Sequence, residues 1–80
     1  MNKYKKPKGT RLIRALTKHG YEIKNYCRGS HVFLINPKNK NSYAVVPNTR
    51  KTLKIGLLED IRKKELKISK NKFIEILRDC

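Results

Sequence analysis

The side chain best suited to acid–base chemistry in this sequence is His31, which directly follows Arg28, Gly29 and Ser30. A Gly-Ser turn exposes backbone amides that can hold a phosphate oxygen, and the neighbouring arginine adds a delocalised cation. A histidine beside such a turn is suitably placed to move a proton at an RNA 2′-hydroxyl or a leaving 5′-oxygen. Residues 28–31 are therefore a candidate phosphodiester-cleaving site. The competing interpretation is a plain surface histidine after a loop.

Several other side chains are candidates for supporting roles at this site. Lys24 or Arg50 would stabilise the negative charge that grows on the phosphorane, and Lys51 continues the same basic loop as Arg50. Tyr26 and Tyr43 are candidates for a second proton-transfer group, although packing within a sheet is the stronger explanation of both. The sequence contains no paired carboxylates and no histidine–carboxylate cluster, so neither a metal nor any other cofactor is predicted.

The second histidine and the two cysteines need no catalytic explanation. His19 falls at the end of a predicted helix, where a cation suits the helix dipole. Cys27 and Cys80 are far apart and lack the paired short spacings of structural zinc sites. A secreted disulfide scaffold of this size would normally carry more cysteines. Both thiols are therefore expected to be reduced, as in a cytoplasmic protein.

The charge of the chain points to a polyanionic partner. Its 80 residues include 21 Lys or Arg and only 6 Asp or Glu, for a net charge of +15. Residues 1–58 hold 14 of the basic side chains and a single acid, Glu22. Nucleic acid is the first candidate for such a partner. No stretch approaches the roughly 18 apolar residues of a membrane span, so no membrane partner is predicted.

The apolar and polar patterns indicate the elements that must position these residues. Thr10 is expected to cap a helix over 11–19 that ends at a left-handed Gly20. The remaining elements are three strands at 21–26, 31–35 and 42–46, a polar turn at 36–41, a helix over 54–65 and a last helix capped by Ser69.

This order predicts an α+β fold, α-β-β-β-α, with a three-stranded antiparallel sheet and helices on one face, as in double-stranded-RNA-binding domains. Residues 1–9 are expected to form a basic, flexible arm and residues 10–80 a single domain. If Val32 and Leu34 face the core, alternation along the strand directs His31 away from it.

At this level of detail the sequence resembles the HicA-type (YcfA-like) mRNA interferase toxins. Gly29-Ser30-His31 at the start of a strand is similar to the signature of that family. The other matching segments, in the family's order, are residues 12–21, Val46-Pro47, residues 53–61 and residues 73–77. Each segment is weak alone, whereas the ordered set is fairly specific.

The resemblance implies the double-stranded-RNA-binding-domain-like fold and a cytoplasmic toxin of a type II toxin–antitoxin system. Such toxins are small endoribonucleases that cleave mRNA and so inhibit translation. His31 would be the catalytic residue, and a HicB-type antitoxin would cover it. Without a metal, a ribonuclease must use the substrate's own 2′-hydroxyl as the nucleophile.

The sequence departs from the family pattern at two positions that often hold further histidines. Val32 follows His31, and Asn48-Thr49 follows Pro47. The second acid–base group is therefore open. Two alternatives also stay open: a non-catalytic RNA-binding module of the same fold, and a basic structural protein of a large ribonucleoprotein.

Overall fold

The computed structural model describes residues 5–27 and 30–80, without the side chain of Cys27, and has the predicted α-β-β-β-α order. The strands pair antiparallel in the order β1-β2-β3. The elements are α1 (Gly9–Lys18), β1 (Glu22–Cys27), β2 (His31–Asn36), β3 (Asn39–Pro47), α2 (Ile55–Asp60), a π-helical segment (Ile61–Leu66) and α3 (Lys70–Arg78). The α+β class is confirmed, whereas the likeness to double-stranded-RNA-binding domains stays a prediction.

One side of the sheet forms the core. Val32 and Leu34 of β2 and Ala44 and Val46 of β3 are buried on it, and the helices cover this side. Their partners in the same cluster are apolar side chains of the helices and of the segments between elements: Leu12, Ile13, Ala15, Leu16, Tyr21, Leu53, Leu58, Ile61, Leu66, Phe73, Ile76 and Leu77. Burial of this apolar area is the main stabilising term of a small domain.

The start of α1 differs from the prediction. The helix begins at Gly9 after an extended Lys8 that provides no side-chain cap, so the expected cap by Thr10 is wrong. The amides of Gly9 and Thr10 instead donate to the carbonyl oxygens of Lys51 and Thr49, at 3.3 and 3.0 Å. A loop from elsewhere in the chain therefore satisfies the open amides of this helix. At the other end, Gly20 has φ 95°, as predicted.

The third strand is longer than predicted. It starts at Asn39, and the expected turn over 36–41 shrinks to Pro37 and Lys38. The side-chain oxygen of Asn36 accepts a hydrogen bond from the Lys38 amide at 2.9 Å, which closes the tight turn. The polar residues 39–41 extend the hairpin of β2 and β3 beyond the core. A strand that covers no core needs no alternation of apolar residues, so the pattern did not predict this part of β3.

The predicted helix over 54–65 changes its winding midway. After α2 the chain continues as the π-helical segment, which ends at Lys67 in the left-handed conformation with φ 56°. The segment lies along β3: the Glu65 carboxylate accepts a hydrogen bond from the Val45 amide at 2.7 Å. The Ser42 hydroxyl donates to the Leu66 carbonyl at 2.6 Å. These bonds cover part of a sheet edge. The Ser69 cap of α3 is confirmed by its bond from the Lys72 amide at 3.1 Å.

The boundary between the predicted arm and domain is only partly described. Pro7 is buried, its carbonyl accepts a hydrogen bond from the Leu53 amide at 2.8 Å, and Lys8 forms a bridge with Thr52. Residues 1–4 lie outside the described residues. The division at 9/10 thus stays a prediction. None of the helices in the described ranges is long and apolar enough to cross a membrane.

Candidate active site at the start of the second strand

His31 opens β2 and its side chain is exposed, while Val32 and Leu34 are buried. Because side chains alternate along a strand, the imidazole points away from the core, which confirms the predicted direction. β2 is the central strand, so His31 has neighbours on both sides: Cys27 of β1 and Pro47 of β3. The imidazole thus lies at one end of the open sheet face, accessible to a large substrate.

The residue before it orients the ring. The Ser30 hydroxyl and His31 Nδ1 are 3.1 Å apart and hydrogen-bonded. The Ser30 carbonyl accepts a hydrogen bond from the Asn48 amide at 2.8 Å, which ties this residue to the chain leaving β3. Nε2 has no hydrogen-bond partner among residues 5–27 and 30–80. A histidine held through one ring nitrogen presents the other to a substrate.

The loop after β3 is fixed beside His31 by the first turn of α1. Gly9 packs so closely on Pro47 that a Cβ there would overlap the Pro47 carbonyl oxygen. The hydrogen bonds from the α1 amides to the carbonyl oxygens of Thr49 and Lys51 hold the part of the loop that follows Pro47. Within the loop, the Lys51 amide donates to Thr49 Oγ1 at 3.1 Å. Arg50 and Lys51 are exposed on this anchored loop. Arg50 and Lys51 thus follow Pro47, the cross-strand partner of His31, by three and four residues.

The other predicted site residues lie at different distances from His31. Lys24 is exposed at an irregularity of β1, where the pairing passes from Ile23 to Asn25. It lies three residues from Cys27, about 10 Å along the strand. Arg28 and Gly29 fall outside the described residues. Ser30 and His31 are adjacent, and Arg50 and Lys51 are brought to the same end of the sheet by the loop.

The two tyrosines do not lie beside His31. Tyr26 pairs with the buried Val32, which assigns it to the opposite side of the sheet from His31. Tyr43 shares the face of His31 but pairs with Ile35. Tyr43 lies four positions before Pro47 in β3, about 13 Å along the strand. A second proton-transfer group stays unassigned.

The charges around the site favour an anionic ligand. Glu22, the single acid of the first 58 residues, pairs with Ile35 at the end of the sheet remote from His31. His19 lies at the other end of α1 from the Gly9–Pro47 contact and pairs with Asp79, with 2.6 Å between Nε2 and Oδ2. No group of three or more His, Cys, Asp or Glu in the described ranges is arranged to hold a metal ion.

Sequence reasoning did not single out two features of this face. The Asn48 amide contact to Ser30 joins residues that are far apart in the chain, and no local pattern signals it. Phe33 shares the face of His31 two positions along β2, and its ring contacts Tyr43. The alternation along β2 that predicts an outward His31 also predicts an outward Phe33, so the position of Phe33 could have been predicted from the sequence.

The arrangement places an exposed imidazole and the hydroxyl bonded to it at the end of the sheet where the loop with Arg50 and Lys51 leaves β3. It can hold a phosphate and move a proton beside it. Comparison with protein families matches residues 9–68 to the model described as HicA toxin of bacterial toxin-antitoxin. Searches of curated proteins and of solved structures found no match. Because the family match spans most of the chain, this protein belongs to the HicA toxin family of bacterial toxin–antitoxin systems.

Proposed function

We propose that this toxin is a metal-independent endoribonuclease that cleaves mRNA and thereby inhibits translation. The observation that carries the proposal is the outward imidazole of His31, held through Nδ1 by Ser30 in a chain of net charge +15. A surface histidine needs no such orientation, whereas a general acid or base does.

The chemistry follows from the ring geometry. In the tautomer in which Nδ1–H donates to Ser30 Oγ, Nε2 carries the lone pair of a general base. It takes the proton of the substrate's 2′-hydroxyl while O2′ bonds to phosphorus and the P–O5′ bond breaks. In the protonated imidazole, Nε2–H instead donates to the leaving 5′-oxygen. Either role yields a 2′,3′-cyclic phosphate and a 5′-hydroxyl, and water completes the remaining proton transfer.

The cationic residues would stabilise the negative charge on the non-bridging oxygens of the pentavalent phosphorane. Arg50 and Lys51 lie on the anchored loop, and Lys24 lies on the other side of β2. Arg28 and the amides of Gly29 and Ser30 complete the predicted set. Preorganised donors and cations of this kind are usually the largest contribution to such catalysis.

The second component of the system is a cognate HicB antitoxin, as membership of the family implies. We propose that it inhibits the toxin by covering His31, with acidic residues facing the basic loop, and that both proteins act in the cytoplasm. A second candidate function is a non-catalytic RNA-binding module. It is favoured by one observation: the position after His31, which often supplies a further histidine in the family, holds the buried Val32.

Incubation of the purified chain with a single-stranded RNA in EDTA tests the proposal. We expect fragmentation of the RNA, while a DNA strand of the same sequence stays intact because it has no 2′-hydroxyl. Binding of RNA without any cleavage, with or without added metal ions, would favour the non-catalytic module and refute the ribonuclease.

The basic loop should control affinity for RNA independently of its sequence. Changing Arg50 and Lys51 together to alanine removes two phosphate contacts, so binding should weaken and the slope of log K against log salt should fall by about 1.4 for a single strand. Fluorescence anisotropy at several salt concentrations measures both.

A matched pair serves as control for that variant. Lys63 and Lys64 carry the same charge but lie near Glu59 and Asp60, at 3.5 and 3.7 Å. Their double alanine variant should keep the salt slope close to that of the native chain. A native salt slope in the Arg50 and Lys51 variant as well would show that these two side chains contact no phosphate.

A further inference from the structure

The side of the sheet opposite the core carries its own group of large apolar side chains. Phe33 and Ile35 of β2 and Tyr43 and Val45 of β3 are partly exposed on it. The strand register pairs Phe33 with Val45 and Ile35 with Tyr43, so all four lie on the face that begins with His31. None of the four belongs to the core cluster or to the partly buried side chains packed on it. We call these four residues the open face.

Two aromatic rings form the centre of the open face. Phe33 and Tyr43 occupy diagonal positions on neighbouring strands, and their ring centroids are 5.9 Å apart with 50° between the planes. A core aromatic is normally enclosed, whereas these rings keep accessible surface beside the sheet. Aromatic side chains on an exposed sheet are the means by which several RNA-binding folds stack unpaired bases.

We infer that the open face is a stacking platform for the bases of single-stranded RNA, with Phe33 and Tyr43 as the stacking residues. The inference deepens the proposed function, on which it rests, by naming the side chains that would hold the unpaired bases of the RNA. Phe33 lies two residues from His31, about 7 Å along β2. A base stacked on Phe33 would therefore belong to a nucleotide next to the phosphate at which His31 moves a proton.

Charge and geometry favour RNA over a protein as the occupant. The chain has a net charge of +15. Glu22, the single acid of its first 58 residues, flanks Ile35 at one end of the open face, and His31 lies at the other end. A sugar–phosphate backbone would place its phosphates toward Arg50 and Lys51 at the His31 end of the sheet and its bases on the two rings. Bases in a duplex are already stacked on one another, so the platform selects single strands.

Binding of a 2′-O-methyl RNA oligonucleotide tests the inference without involving cleavage, because its nucleophile is blocked. Phe33→Leu and Tyr43→Leu keep apolar volume but remove a ring. Each variant should weaken binding roughly 5- to 150-fold, the equivalent of one lost base stack. Toward an abasic oligonucleotide of equal length, each variant should match the native chain.

The matched control is Tyr26→Leu. Tyr26 is 62% exposed and lies on the other side of the sheet, so its ring should contribute nothing to binding. Phe33→Trp provides a second measurement should a leucine variant fail to fold. The native chain has no tryptophan, so the fluorescence of the new indole would report on this position alone. We expect quenching by the base-containing oligonucleotide and none by the abasic one.

Unchanged affinity in both leucine variants, or equal quenching by both oligonucleotides, would overturn the inference. So would a change confined to self-association or antitoxin binding, measured by sedimentation velocity, since the open face would then be a protein interface. Cleavage of ordinary RNA is scored separately. Cleavage without ring dependence refutes the platform alone, and ring-dependent binding without cleavage refutes the ribonuclease alone.

Discussion

Replacing His31 by alanine should reduce the rate of RNA cleavage by about 10²- to 10⁴-fold, the usual contribution of a general acid or base. The side chain is exposed and makes no core contact, so the fold should survive the change. Affinity for RNA should stay within about threefold, because phosphate contacts by Lys and Arg dominate binding. Rates of cleavage of a labelled RNA and anisotropy with an uncleavable strand measure the two effects.

The chain offers a matched control in its other histidine. His19 follows the last residue of α1, at the end of the helix remote from the Gly9–Pro47 contact, and it bonds to Asp79. It does not lie on the open face. His19→Gln should lose some thermal stability, because the 2.6 Å contact between His19 Nε2 and Asp79 Oδ2 is removed. Its cleavage rate at a temperature where it is folded should equal that of the native chain. Equal losses of activity in both variants would show that His31 has no specific role.

Gly9→Ala should be strongly destabilising. The new Cβ would overlap the carbonyl oxygen of Pro47, a backbone atom that cannot rotate away, and it would also press on Thr49. Overpacking of this kind usually costs about 1–3 kcal/mol and occasionally more. For an 80-residue domain that is a large fraction of the whole free energy of unfolding. Thermal and urea unfolding followed by circular dichroism measure the loss.

The same change should also damage the site. Pro47 pairs with His31, and the loop that follows it carries Arg50 and Lys51, so any shift of α1 away from Pro47 moves the cations relative to the imidazole. Gly56→Ala is the control, because a Cβ there meets nothing within 4 Å. This glycine lies in α2, where alanine is favoured by up to about 1 kcal/mol. A Gly9→Ala protein as stable as the native chain would contradict the packing described.

Local signals predicted the parts of the fold that depend on neighbouring residues. The left-handed Gly20, the Ser69 cap and the outward direction of His31 each follow from a few adjacent positions. The Thr10 cap failed because carbonyl groups of the loop at 49–51 bind the first amides of α1 instead. No sequence pattern near Thr10 predicts hydrogen bonds to carbonyl groups about forty residues away.

The same limit applies to α2 and to β3. Apolar spacing predicted one helix over 54–65, yet hydrogen bonds from Ser42 and to Glu65 hold its second half against β3 as a π-helical segment. The start of β3 at Asn39 depends on pairing with Asn36 and not on apolar alternation. At the candidate site, the contact between the neighbours Ser30 and His31 could be expected from the sequence, whereas the anchoring of the loop that carries Arg50 and Lys51 depends on the contact of Gly9 with Pro47.

The chemical identity of the RNA ends tests the central claim most directly. A short RNA would be incubated in EDTA with the native chain or the His31→Ala variant, and the fragments identified by mass spectrometry. The account predicts 2′,3′-cyclic phosphate and 5′-hydroxyl ends with the native chain and almost no fragments with the variant. Fragments ending in 5′-phosphate, or the same fragments formed at the same rate by the variant, would contradict it.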